Sequence, residues 1–192
     1  MIPAVTAFRL RADRSEEQLL SDVTLVVGVS LLLFRPFGLG APGAVALFGM
    51  AYLLLGAISV AAPAPRVLPA FLDPLPVLVV GAGAVALAWG TAGPRIPTPT
   101  GQSALVLGAL AAVAEEAFFR RFLYGRLVRY GALAAVFTSA LLFALVHLPA
   151  YGLAAFWVDL GAGLLLSWQR WASGSWSVPA ATHVLANVLA VM

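Results

Sequence analysis

Cysteine and lysine are both absent from the 192-residue chain, and only 10% of its residues carry a charge. Without cysteine there is no disulfide, no thiolate metal ligand and no thiol nucleophile, and thiol usage says nothing of the redox compartment. A soluble domain has roughly a quarter of its residues charged. Here 62% are hydrophobic and the mean hydropathy is +0.99, which places the chain in a bilayer. All eleven basic residues are arginine. The resulting pI near 10.0 would suit a nucleic-acid partner, but the arginines stand scattered or at the ends of apolar segments, so they read as topology signals and not as a binding patch.

Residues 1–21 form a polar cytosolic lead-in, with Arg9, Arg11 and Arg14 among Asp13, Glu16 and Glu17. Seven apolar segments follow, at about 22–34, 43–62, 70–90, 102–123, 132–149, 153–168 and 177–192, punctuated by Pro149, Gly152 and Gly174. The first is short enough to mimic a signal peptide, yet Arg35-Pro36-Phe37 stands where a small-residue cleavage site would be, so a retained, tilted span is expected. Lipid offers no partner to open backbone groups, and no period-two pattern suggests a barrel. The expected fold is therefore all-α: about seven transmembrane helices, three over 22–101 and a four-helix bundle over 102–192. With the N-terminus cytosolic and the C-terminus outside, Arg66, Arg126, Arg129, Arg170 and the three lead-in arginines lie inside, and Arg35 and Arg95 outside. That asymmetry fits a multi-pass protein of the cell membrane. Trp168, Trp171 and Trp176 suit either the cytosolic headgroup layer or packing between helices.

Ionisable side chains within a span cost at least about 2.5–3.5 kcal/mol each. They are concentrated in the last four segments: Glu115, Glu116 and Arg120, then His147, then Asp159, then His183 with Asn187. On a helix, residues four apart share a face and consecutive residues point about 100° apart. Glu116 therefore faces Arg120 as a neutralising, structural pair. With Arg120 facing Glu116, Glu115 is left without an intrahelical cation, which makes it the candidate general base. Phe143 with His147 and His183 with Asn187 repeat the one-turn spacing, implying two facing patches. Asp159 either lines a cavity with them or lies in a wet part of the bundle.

Any one of these groups alone is readily explained as a satisfied polar residue of the core. A convergent Glu, His, His and Asn permits two chemistries. In one, Glu115 activates water and a His or Asn donor stabilises an oxyanion. In the other, the histidines and a carboxylate hold zinc with a position open to water. No HExxH motif is present, and the metal-free route is preferred, with zinc a minority possibility.

These residues resemble the CAAX-protease and bacteriocin-processing (CPBP, or Abi) intramembrane proteases. Glu115-Glu116-Ala-Phe-Phe-Arg120 is similar to that family's EExxxR, Phe143-Ala-Leu-Val-His147 to its FxxxH, and His183-Val-Leu-Ala-Asn187 to its HxxxN, in the family's order. The resemblance covers roughly residues 102–192. It implies a glutamate-dependent endopeptidase in which Glu115 and His147 activate water and His183 and Asn187 form the oxyanion site. Glu116, Arg120 and Phe143 would support them. The implied partner is a membrane-associated peptide or protein, with or without a lipid tail, cut near the cytosolic leaflet. The competing expectation is a noncatalytic polytopic protein, a proton-coupled transporter or a scaffold, although no internal repeat is present. One geometric tension stands against the enzyme: counted from the cytosolic ends of these segments, His147 lies deeper than Glu115 or His183.

Overall fold

The computed structural model describes residues 4–35, 43–63, 68–91 and 101–191. Six helices run through them: α1 (Ala4–Leu33), α2 (Ala44–Ala61), α3 (Pro74–Thr91), α4 (Gln102–Tyr130), α5 (Ala132–Ser173) and α6 (Ser177–Val191). No strand occurs among the described residues. Four of the helices, α2 to α5, are long and apolar enough to cross a membrane. α6 is apolar but shorter, and α1 continues the charged lead-in into the first apolar segment without a break.

Six helices hold the seven expected segments because the fifth and sixth are two arms of α5. Gly152, at φ +77° and ψ 178°, interrupts it, a backbone conformation that side chains with a Cβ rarely adopt. The chain then folds back. Gly163 of the second arm lies against Ala140 of the first, where a Cβ would sit 2.9 Å from the Ala140 carbonyl oxygen. Only glycine permits so close an approach between apolar helices.

α2 and α3 are apolar on every face yet bury few side chains, Leu55 and Ser59 in one and Val77 and Gly81 in the other. The remaining side chains are partly or fully exposed, as expected where the surroundings are lipid. The main core lies where α1, α2, α4 and α5 meet, around Leu32, Leu55, Phe118, Phe119, Phe122 and Phe143. Trp168 and Trp171 are partly buried, each packed against a buried cluster, and Trp171 meets the Phe71 ring edge-on at 5.2 Å.

α4 is irregular next to its charged residues. It widens into a π-helix over Ala117–Leu123 and tightens to a 3-10 turn at Val128–Tyr130. Wide turns loosen the carbonyl ladder and often accompany functional sites. Here α5 supplies extra donors: Ser139 Oγ donates to the Phe119 carbonyl at 3.2 Å and Arg170 Nε to the Arg120 carbonyl at 2.9 Å. In return, Arg120 Nη2 donates to the Gly163 carbonyl at 3.2 Å.

Candidate active site

The continuation of α4 resolves the tension in depth. The apolar run fades near Leu123, but the helix persists to Tyr130, and the turn comes at Gly131. Glu115 lies sixteen residues before Gly131 and His147 sixteen after it. At 1.5 Å per residue both are about 24 Å from that turn. The two antiparallel helices thus bring them to one level, and His147 Nε2 lies 3.5 Å from Glu115 Oε2.

His147 Nδ1 is 2.7 Å from the Phe143 carbonyl. A carbonyl only accepts, so Nδ1 carries the proton. In the neutral ring Nε2 is then an acceptor facing a carboxylate oxygen that is also an acceptor. A water molecule on the cavity side, bridging the two, could donate one hydrogen to each, the arrangement that activates it as a nucleophile.

Glu116 points elsewhere. Its Oε1 accepts from Arg120 Nη1 and lies by His183 Nδ1, each at 2.9 Å, within a fully buried environment. The expected Glu116–Arg120 pair is present, and the glutamate has a further partner that helix spacing could not reveal. With Nδ1 turned to Glu116, Nε2 is the His183 nitrogen left for another partner, and it donates when the ring is protonated. Asn187 Nδ2 donates to the Gly108 carbonyl at 2.9 Å, which fixes the amide one turn beyond His183.

Phe143 joins the two expected patches. Its ring stacks obliquely on His147 at 4.4 Å, meets His183 edge-on at 5.7 Å and lies under the Arg120 guanidinium at 4.5 Å. It is a buried spacer that holds two imidazoles apart. The cation adds an attraction worth about 2 kcal/mol when desolvated.

Glu115 does have a cation, though from another helix. Arg35, just beyond α1, donates from Nη1 to Glu115 Oε1 at 2.6 Å and is buried. The sequence had placed Arg35 outside as a topology marker. Charge counting carried the missing signal: two buried glutamates and one obvious arginine leave one carboxylate unneutralised, and burying it alone is prohibitive.

Glu115, His147, His183, Asn187 and Arg35 all border one cavity of about 580 Å³. Asp159 borders it too, so its cavity-lining alternative holds. The cavity extends past Ala44, Ser103 and Val191, the outermost turns of α2, α4 and α6. It therefore lies at the end of the bundle away from Arg126, Arg129 and Arg170. Glu116 and Arg120 stand behind its wall.

A zinc ion in the minority reading would need three protein ligands and an open position. Glu115 and His147 face each other, but among the described residues no group of three His, Cys, Asp or Glu side chains could hold a metal ion. The donor set does not fit, and no step is derived through a metal.

A family model described as Type II CAAX prenyl endopeptidase Rce1-like matches residues 99–189. The chain is similar to that family over α4, α5 and most of α6, the stretch that carries both glutamates, both histidines and Asn187. No curated protein and no solved structure matches the chain.

Proposed function

We propose that the chain is an intramembrane endopeptidase of glutamic type. The observation that carries the reading is the Glu115 Oε2–His147 Nε2 facing pair on the cavity wall, supported by the family match over residues 99–189. Water bridging the two acceptors from the cavity side gives its proton to Glu115 as its oxygen attacks the scissile carbonyl. The developing oxyanion is met by His183 Nε2–H and by Asn187, both preset by bonds made before substrate arrives. Glu115 then returns the proton to the leaving amine as the C–N bond breaks. A carboxyl and an amine result, and the base is restored.

The substrate is a peptide or protein segment within the membrane. Ala44, Val45, Phe48 and Leu107 give the cavity apolar walls suited to such a chain. The two arms of α5 each cross the membrane in this reading, making seven crossings together with α1 to α4 and α6. With the arginine-rich end cytosolic, the N-terminus lies inside, the C-terminus outside, and substrate reaches the cavity from the opposite side. The test uses purified chain in detergent with a quenched peptide library of apolar sequences. Wild type cleaves a subset, and Glu115→Gln cleaves none while keeping its helical circular dichroism. Cleavage by Glu115→Gln at the wild-type rate refutes the assignment.

A further inference from the structure

The matched residues begin at 99, so the resemblance gives the first half of the chain no role in chemistry. Arg35 comes from that half, eighty residues before its partner. Its guanidinium is held at two points: Nε donates to the Leu32 carbonyl at 3.1 Å, and Nη1 donates to Glu115 Oε1 at 2.6 Å. The first bond satisfies a carbonyl at the end of α1, where a cation is also favoured by the helix dipole. The second engages the Glu115 oxygen that does not face His147. The third nitrogen, Nη2, makes no close hydrogen bond among the described residues, Tyr52 of α2 interacts with the same guanidinium, and Arg35 borders the cavity.

We infer that Arg35 is a positioning residue for the reaction at Glu115, clamping Oε1 so that Oε2 is presented to His147, and that α1 thereby completes the site. The inference rests on the protease reading. α1 is anchored well enough to hold such a clamp, since Leu32 is buried in the main core and Arg126 of α4 bonds Ser21 and Asp22 at 2.8 and 3.0 Å. Besides Glu115, the other titratable groups on the same cavity wall are Tyr52 of α2, His147, Tyr151 and Asp159 of α5, and His183 of α6. Arg35 is the sole fixed cation in that set, since His147 and His183 carry charge only when protonated. Without it, the buried carboxylate has no fixed opposite charge on that wall, and burial favours its neutral, protonated form.

The experiment compares full-length Arg35→Met and Arg35→Lys with wild type in detergent. Isotope-edited infrared spectroscopy, with Glu115→Gln subtracted, reads the Glu115 carboxyl directly and needs no substrate. Steady-state kinetics on a quenched peptide that wild type cleaves gives kcat and KM. In Arg35→Met the carboxylate band gives way to that of a protonated acid, and kcat falls about 10²-fold with KM unchanged, as for a displaced catalytic group. Arg35→Lys keeps the charge but not the two-point fork. It retains the carboxylate band and recovers part of kcat. An unchanged Glu115 band in Arg35→Met, or wild-type kcat in that folded variant, overturns the inference. If Arg35→Met does not fold, Arg35→Lys decides: a lowered kcat supports the clamp and a wild-type kcat overturns it. A wild type that cleaves no peptide ends the protease reading, while the infrared comparison still decides whether Arg35 holds Glu115.

Discussion

Glu115 and Glu116 are adjacent in sequence, both buried, each paired with an arginine and each beside a histidine. Their surroundings differ in one respect. Glu115 borders a cavity that a reactant can enter, with Oε2 3.5 Å from His147, whereas Glu116 is sealed behind the wall with both partners at 2.9 Å. In the proposed reading the same chemical groups serve as a reaction centre on one side of α4 and as a brace on the other. Helix geometry makes this possible, because consecutive residues diverge by about 100°. What separates the roles is access to the cavity, since burial and charge pairing are shared.

The sharpest way to break the comparison is to neutralise each glutamate in turn. Glu115→Gln is expected to lower the cleavage rate by about 10²–10⁴-fold, the usual contribution of a positioned base. Its melting temperature falls less than that of Glu116→Gln, because Arg35 can be hydrated from the cavity. Glu116→Gln strands Arg120, which is 0% exposed, and removing one partner of a buried pair costs about 3–5 kcal/mol. Chemical denaturation in mixed detergent reads that loss. Asn187→Ala removes an amide donor from the cavity wall and is expected to lower kcat by about 10²–10³-fold with KM little changed, in steady-state kinetics on the same peptide. Gly163→Leu drives a side chain into Ala140 and is expected to cost about 1–3 kcal/mol by strain between the arms of α5, again by denaturation. The smallest effect belongs to Arg126→Ala. Its partner Asp22 is 53% exposed at the side chain, and such pairs contribute about 0–1 kcal/mol. A large loss of stability there would mean that α1 is anchored mainly at its polar end and not through Leu32 and Arg35.

Local features were legible in the sequence, and those between helices were not. The Glu116–Arg120 pair followed from i,i+4 spacing, and Gly152 marked the break in α5. The convergence of Glu115, His147, His183 and Asn187 could be anticipated because unpartnered polar groups are costly in lipid. The bond from Glu116 to His183 could not, since no spacing rule relates residues 67 apart on different helices. Arg35 was missed for a related reason: at the end of an apolar segment an arginine is already explained by membrane topology. The true end of α4 was hidden because Arg126 and Arg129 close the apolar run before the helix itself stops at Gly131. Those roughly two missing turns of helix displaced Glu115 from the level of His147.

The central claim is that Glu115, and not its neighbour, handles the reacting water. The measurement that tests it most directly is the single-turnover cleavage rate of folded Glu115→Gln beside wild type, on a peptide that wild type cleaves, with circular dichroism confirming the fold of both. The expected result is a folded variant with cleavage reduced to background. A folded Glu115→Gln that cleaves at the wild-type rate would contradict the account.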